Sequence, residues 1–163
     1  MAFHRVVGKH LFKNAVPELH DRSIPVPQYY LSSAFLSHLR NVIMYSPVNL
    51  EQKFSLFDTH WQPKVIAQMN DYQFKIVKIA GDFIWHSHPE TDESFIVIEG
   101  VLRIDFRDGY VLVKPGEMFV VPKGVEHKTS AETTVKMMMI EPCGVRNTGH
   151  EGGERTAEND IWI

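Results

Sequence analysis

Cysteine is nearly missing from this sequence: its 163 residues include one, Cys143. A single cysteine excludes an intramolecular disulfide, and no partner is available for a CxxC metal or redox motif. This usage is typical of a reducing compartment, so we expect a cytoplasmic protein. We expect Cys143 itself to be an ordinary small residue, because no reactive-thiol signature surrounds it.

Strong net charge and long apolar runs are lacking as well. Lys and Arg number 17 and Asp and Glu number 20, for a formal net charge of -3. Nucleic acids and anionic membranes attract basic surfaces, so this balance argues against both as partners. No window is long and apolar enough to predict a membrane-spanning helix. Hydrophobic residues still make up 44% of the chain, which is enough to form the core of one domain.

The first 43 residues differ from the rest in composition. They carry five basic and two acidic residues, and they lack an apolar run followed by a secretory cleavage site. We predict a helical or irregular extension over residues 1–43, without stable order, and a β domain over residues 44–163. The first 17 residues are basic and free of acids. They therefore resemble an organelle transit peptide, and organelle targeting stays an open alternative.

From Lys64 onward, short apolar stretches alternate with turn signals. The predicted strands are "KVIAQM", "YQFKIVKIA", "SFIVIEG", "VLRIDF", "YVLVKPG", "MFVVPKG" and "VKMMMIEP". Turns recur every eight to ten residues or so, and no helix-length segment interrupts them, which is typical of an antiparallel sandwich or barrel. Ahead of them, residues 49–57 predict a short helix capped by Asn49. The polar tail from Gly144 to Asn159 is predicted to be irregular.

Two histidines stand one residue apart in "HSHPETDE", residues 86–93. On a β-strand, side chains at i and i+2 point to the same face, about 6.6 Å apart along the strand. His86 and His88 would then aim together, and Glu93 could return toward them if the chain turns at Pro89. Neutral imidazoles and a carboxylate form a typical site for a divalent metal. A lone HxH pair is more often a partly exposed strand end, so this stretch alone leaves both interpretations open.

A second stretch, "GEMFVVPKGVEH", residues 116–127, favours the metal site over the exposed strand end. Together the two stretches resemble the two sequence motifs of the cupin family. The first motif reads G-(X)5-HXH-(X)3–4-E-(X)6-G, and the residues that resemble it are Gly81, His86, His88, Glu93 and Gly100. The second reads G-(X)5-PXG-(X)2-H-(X)3-N, and the residues that resemble it are Gly116, Pro122, Gly124 and His127. Two departures stand out: Gly81 is one residue closer to His86 than in the motif, and the final Asn is replaced by Ala131.

The resemblance implies a fold and a site. The fold is all-β, an antiparallel double-stranded β-helix, or jelly-roll, barrel. The site is one divalent metal ion (Fe, Mn, Ni, Co or Zn) held by His86, His88, Glu93 and His127. Glu93 is preferred to Asp92 because it alone leaves six residues before Gly100. The resemblance also implies a small-molecule ligand and a homodimer.

Strand alternation extends this site to a predicted substrate pocket. The side chains that would share a face with the four ligands are Ile84, Phe95, Val97, Thr129 and Ala131. Phe83 and Trp85 alternate with the inward set and would face away from the metal. Lys75 or Lys78 could reach the pocket, depending on the strand register. No arginine cluster falls on these faces, which argues against a sugar phosphate as substrate.

Three functions follow as candidates. The first is a metalloenzyme acting on a small organic substrate, in which the metal activates oxygen, water or a carbonyl group, as in an oxygenase, isomerase or lyase. The second is a binding module that holds a metabolite at the metal without turnover, which the apolar walls and Ala131 favour. The third is a metal-free structural β domain, which would leave three inward histidines and a glutamate unexplained.

Overall fold

Helix α1 (Leu50–Phe54) lies near the start of the part of the chain that our computed structural model describes, residues 46–163. The predicted extension over residues 1–43 lies outside this part. The side chain of Asn49 caps α1 by accepting a hydrogen bond from the backbone N–H of Gln52 at 3.0 Å. The helix is shorter than the predicted 49–57, because the chain leaves helical geometry after Ser55.

Seven β-strands follow the helix. They are β1 (Lys64–Met69), β2 (Tyr72–Asp82), β3 (Glu93–Glu99), β4 (Leu102–Phe106), β5 (Gly109–Val113), β6 (Met118–Val121) and β7 (Lys128–Pro142). All pairings between these strands are antiparallel, in the order β1-β2-β7-β3-β6, with β4 joined to both β5 and β7. The predicted all-β antiparallel architecture is confirmed.

Strand β7 organises the sheet because it pairs with three other strands. Its first residues lie between β4 and the end of β2, and its later residues lie between β2 and β3. The apolar run that predicts this strand begins at Val135. The stretch "KTSAETT" lacks an apolar run, yet its ladder with β4 and the burial of Thr129 and Ala131 make it part of the strand.

Strand β2 is buried on both faces, and this separates the core into two clusters. Its side chains at Val77 and Ile79 point into the barrel and join the main core. On the opposite face, Ile76 packs with Ile66 and with Phe54 of helix α1. Burial of a Phe side chain stabilises a fold by about 1.5–3 kcal/mol, so α1 closes an apolar face that would otherwise be in water.

Glycine at position 100 is required by close packing as well as by conformation. Gly100 has φ +82° in the β3–β4 connection, and a Cβ there would lie 2.8 Å from the carbonyl oxygen of Thr134. The backbone of Gly100 therefore lies close against β7 just after the end of β3, the strand that begins at Glu93. No helix among residues 46–163 has the length and hydropathy needed to cross a membrane.

Candidate metal centre

The segment between β2 and β3 carries the HxH pair and contains one residue more than its partner. Phe83 N–H donates to the carbonyl of Thr129 at 2.9 Å, and His86 N–H donates to the carbonyl of His127 at 3.0 Å. Three residues on this segment thus span the same length as two on the partner, as at a β-bulge. The bulge turns both Phe83 and His86 inward, and it leaves Ile84 and Trp85 half-buried.

The second motif holds the first in place. His127 N–H donates to the carbonyl of His86 at 3.0 Å, and Gly124 N–H donates to the carbonyl of His88 at 2.9 Å. Asp92, the alternative carboxylate, is exposed and accepts from the N–H of Lys123 at 2.9 Å. Asp92 therefore fixes the turn of the second motif, and Glu93 is the carboxylate that points inward.

The four residues of the predicted ligand set come together. His86, His88, Glu93 and His127 each offer one ligand atom, and these atoms all lie within 4.8 Å of one another. Their side chains are between 0% and 5% exposed. Glu93 Oε2 lies 3.1 Å from His88 Nε2 and 3.2 Å from His127 Nε2. We refer to these four residues as the His/Glu cluster.

Two backbone carbonyls orient the histidine rings of the cluster. His86 Nδ1 lies 3.1 Å from the carbonyl of Ile84, and His127 Nδ1 lies 3.1 Å from the carbonyl of Val125. A carbonyl can only accept, so each Nδ1 carries the hydrogen and donates it. In the neutral rings, Nε2 is then the atom with a free lone pair, which is the arrangement found in histidines that bind metals.

Three buried atoms of the cluster lack a hydrogen-bond partner among the described residues: His88 Nε2, Glu93 Oε2 and His127 Nε2. Because Nδ1 of His127 carries the hydrogen of the neutral ring, the short separation of His127 Nε2 from Glu93 Oε2 joins two acceptors. A buried polar atom without a partner is costly, and three that converge on one point are rare. Two imidazole nitrogens and a carboxylate oxygen are donors that fit a divalent metal ion.

The pKa values of the cluster are strongly shifted. Burial lowers the pKa of His86 to about 4, which keeps this imidazole neutral and able to bind a cation. Burial opposes ionisation of Glu93, but the close rings of His127 and His88 outweigh it and hold the pKa of Glu93 below its usual range. Burial likewise opposes protonation of His88, but the Glu93 carboxylate outweighs it and raises the pKa of His88.

A cavity that is open to solvent adjoins the cluster. Two aromatic rings form one wall: Trp61 and Phe83 stack with centroids 4.8 Å apart. The residues that line the cavity are Trp61, Pro63, Val77, Ile79, Phe83, His86, Glu93, Phe95, Thr129, Met137, Met139 and Asn147. Eight of these twelve are apolar and none is Lys or Arg, so the cavity suits a molecule with an apolar body.

The predicted pocket residues divide into two groups. Phe95 and Thr129 line the cavity. Val97 and Ala131 belong to the main core, and Ile84 is half-buried outside the cavity lining. The inward position predicted for Ile84 differs from the structure because the bulge reverses the alternation between Phe83 and His86. For the same reason Phe83, expected to face away, points to the cluster, with its ring 5.3 Å from that of His86.

Several lining residues were not predicted. Met137 and Met139 lie on the inward face of β7, and pairing that strand with β3 would have found them, since Phe95 is opposite Met139. Trp61 precedes β1 in an irregular segment, and Asn147 follows β7 in another. Nothing in the local sequence indicates that either of them reaches the cavity.

A second group of charged side chains lies next to the cluster. Lys75 and Glu141 are 2% and 1% exposed, and Lys75 Nζ lies 3.0 Å from Glu141 Oε1. Burial raises the pKa of Glu141 to about 7, and the nearby Glu93 carboxylate adds to the shift. Of the two lysines considered for the pocket, Lys75 therefore points inward but binds Glu141, while Lys78 binds Asp58 on the other face at 3.1 Å.

Comparison with known proteins supports the motif assignment. A protein-family model described as the Cupin domain matches residues 74–142, a range that contains all four residues of the His/Glu cluster. The chain is also 36% identical over 77 residues to the uncharacterized protein YdbB of Bacillus subtilis (strain 168), a match that covers 47% of this chain and 68% of YdbB.

Two crystal structures are similar in sequence and fold. One is a cupin-2 domain containing protein from Shewanella frigidimarina NCIMB 400, which is 59% identical with a TM-score of 0.58; the match covers 58% of this chain and 93% of that chain. The other is the protein NMB1881 from Neisseria meningitidis, which is 36% identical with a TM-score of 0.55; that match covers 60% of this chain and 99% of the other.

Proposed function

This chain belongs to the cupin family, and from that membership and the geometry of its buried cluster we propose that it binds one divalent metal ion and acts on a small organic molecule. The proposed ligands are His86, His88, Glu93 and His127. One observation carries the proposal: three buried donor atoms of this cluster converge without hydrogen-bond partners. A cation would satisfy all three at once.

Some residues of the proposed site would hold the ion, and two of them also leave one side of it accessible. The carbonyls of Ile84 and Val125 fix two rings so that Nε2 faces the centre, and Glu93 supplies negative charge against the ion. His86 and Glu93 also line the cavity, so one side of the centre is open to a bound molecule. A divalent ion there would act as a Lewis acid toward a bound oxygen or would activate water.

The cavity walls support a substrate class. We propose a small molecule with an apolar body and an oxygen donor, such as a carbonyl or hydroxyl group, that reaches the metal. The stacked pair of Trp61 and Phe83 and the side chains of Met137 and Met139 would pack against the apolar body. Thr129 brings a hydroxyl group to the same wall. No cationic side chain lines the cavity, so a phosphorylated substrate is disfavoured.

The reaction types open to such a centre are those of an oxygenase, an isomerase or a lyase. A non-catalytic metabolite-binding module is the second candidate, and one observation favours it. Apart from the proposed ligands His86 and Glu93, no lining residue is a usual general acid or base. Turnover would then depend on the metal and on the substrate's own groups.

The first experiment measures the metal directly. We expect one equivalent of a divalent transition metal in protein purified without chelator, by elemental mass spectrometry, and none in a His86→Ala/His127→Ala variant. A His150→Ala variant is the matched control, because His150 is exposed and lies outside the cluster. Equal metal content in all three proteins, or none in any of them after reconstitution, would contradict the proposed site.

The second experiment separates the enzyme from the binding module. The metal-loaded protein is incubated with a panel of small carbonyl and hydroxy compounds, and both binding and product are followed. Product that requires the metal and is lost in the His86→Ala/His127→Ala variant supports the enzyme. Tight binding without any product supports the module.

We also propose that the protein is a homodimer, as the family resemblance implies. Exposed apolar side chains on β5 and β6, namely Tyr110, Leu112, Met118 and Val120, offer a surface that a second subunit could cover. Sedimentation analysis tests this, and a monomer at micromolar concentration would contradict it. The cytoplasmic location expected from the sequence stays a prediction.

A further inference from the structure

The irregular segment after β7 lies directly on the segment that carries the HxH pair. We call residues 143–160 the strap. His150 N–H in the strap donates to the carbonyl of Ser87 at 3.2 Å, and Ser87 is the residue between the two histidines. Asn147, four residues after Cys143, lines the cavity beside the cluster. The strap therefore touches both the backbone between two proposed ligands and the proposed binding cavity.

Gly149 is the point of closest approach. It has φ +55°, and a Cβ built there would lie 2.1 Å from the carbonyl oxygen of Ser87 and 3.4 Å from Cε1 of the His88 ring. The first distance is far below any normal contact, and the atom it meets is backbone rather than a flexible side chain. Any side chain at 149 must therefore displace the strap or the Ser87–His88 backbone.

Several hydrogen bonds hold the strap in this position. The amide of Asn147 donates to the carbonyl of Trp61 at 3.3 Å and to that of Arg155 at 3.0 Å, and its oxygen accepts from Ala157 N–H at 2.9 Å. Thr148, which is fully buried, shares a hydrogen bond of 2.8 Å with Thr156. The strap is thus tied across itself and to the wall of the cavity.

Lys75 ties the strap to the sheet. Its ammonium group lies 3.0 Å from Glu141 Oε1 on β7, and it donates to the side chain of Asn159 at 3.3 Å and to the carbonyl of Val145 at 3.4 Å. Asp160 Oδ1 lies 3.4 Å from the same nitrogen. Because buried charged groups tolerate little displacement, this ammonium fixes both ends of the strap relative to β2.

We propose that the strap is a positioning element of the metal site and that Gly149 is the residue through which it acts. The strap presses its backbone against Ser87 and the His88 ring, and it thereby keeps Nε2 of His88 aimed at Glu93 and the other two histidines. Gly149 is a positioning residue, because it lies against Ser87, between two proposed ligands, and not at the metal. This inference rests on the proposed function, in that it takes the His/Glu cluster as the metal site.

The test compares two glycines. Gly149→Ala and Gly144→Ala both place a side chain at a positive φ, +55° and +80°, but a Cβ at 144 meets nothing within 4 Å. Each variant is titrated with Co2+ alone, and its visible absorption reports the ligand geometry. We expect Gly149→Ala to weaken Co2+ binding by about tenfold or more and to change the spectrum, while Gly144→Ala stays within about threefold of the native protein.

A second readout does not depend on metal. In the metal-free protein, the NMR signals of Ser87 and of the His88 ring should shift in Gly149→Ala and not in Gly144→Ala. If the native protein binds no Co2+, the proposed function fails and this readout alone decides the inference. Unchanged Ser87 and His88 signals in Gly149→Ala, or equal Co2+ affinity in the two variants, would overturn it.

A third variant covers the case in which Gly149→Ala does not fold. Asn147→Ala adds no atoms, and it removes the contacts that hold the strap to Trp61, Arg155 and Ala157. We expect the same shifts at Ser87 and His88 with a smaller loss of Co2+ affinity. A folded Asn147→Ala protein with native signals and native affinity would overturn the inference as well.

Discussion

The His/Glu cluster and the Lys75–Glu141 pair are neighbouring buried groups, and each contains a carboxylate. The groups around these two carboxylates differ. Glu141 has an ammonium group 3.0 Å away. Glu93 has only imidazoles near it, and one of these, His86, has its pKa lowered to about 4 by burial and so stays neutral. Both carboxylates are almost fully buried. The chain therefore places an ammonium group beside one carboxylate and titratable imidazoles beside the other.

The pKa values of the two carboxylates are shifted in opposite directions. The pKa of Glu93 is below its usual range, and burial raises that of Glu141 to about 7. The two carboxylates thus have opposite effects on stability. The contribution of Glu93 to the free energy of unfolding grows as pH rises toward the pKa of Glu93 in the unfolded chain. The contribution of Glu141 falls as pH rises from about 4.5 to about 7. The difference suggests a structural role for the pair and a binding role for the cluster.

Removing the internal cation should have the largest effect. We expect Lys75→Met to lower the free energy of unfolding by about 3–5 kcal/mol above pH 7, because Glu141 is then left charged and buried without its partner. Chemical denaturation of the metal-free protein measures this. Below the pKa of Glu141, the loss should shrink, because the carboxyl group can take up a proton.

Two controls sharpen that result. Lys78→Met, on the other face of β2, breaks an ion pair with the fully exposed Asp58 and a hydrogen bond to the carbonyl of Phe57, and should cost about 1–2 kcal/mol. Lys75→Met/Glu141→Leu removes both charges and should regain the part of the lost stability that comes from the unpaired Glu141 charge, but not the part that comes from the contacts of Lys75 with the strap. A Lys75→Met protein no less stable than Lys78→Met would show that the pair does not balance its charges as described.

The affinity of the cluster for metal should depend on pH with a sign that follows from its histidines. Glu93 raises the pKa of His88, so this ring holds a proton that a metal must displace. Below that pKa we expect Co2+ affinity to fall about tenfold per pH unit, equivalent to about 1.4 kcal/mol. Near pH 4 a second proton, on His86, should make the fall steeper.

Isothermal titrations with Co2+ between pH 5 and pH 8 measure this dependence. The number of protons released on binding, from titrations in buffers of different ionisation enthalpy, is an independent check. Affinity that stays constant over this range would mean that His88 is neutral in the metal-free protein, which contradicts the raised pKa, or that it is not a ligand.

The elements that could be predicted from sequence are those with local signals. Strand β1 is bounded by Pro63 and the turn at Asn70, and its limits match the prediction. His86, His88 and Glu93 belong to one motif and are close in the chain. Their grouping with the distant His127 was predicted from the family resemblance. The fold and the grouping of the four residues were therefore predictable.

The features that could not be predicted depend on register or on tertiary contacts. The bulge that turns Phe83 inward is a property of its pairing with residues 127–129, and nothing in "GDFIWHSH" marks it. The path of the strap is set by contacts with distant residues such as Ser87 and Trp61. Alternation applies only where pairing is regular, so it does not predict the position of Ile84.

The smallest expected effect links the two groups. The Glu93 carboxylate helps to raise the pKa of Glu141, so neutralising Glu93 should lower it. When a divalent ion binds, one proton leaves His88 and two positive charges arrive, so the net change near Glu141 is positive. We expect the pKa of Glu141 to fall by less than about one unit on addition of Zn2+, since burial, the larger cause, is unchanged. NMR of labelled glutamate carboxyl carbons follows this titration. Glu93→Gln without metal should give a shift of the same sign, and a Glu141 titration that responds to neither change would mean that the two groups are electrostatically independent.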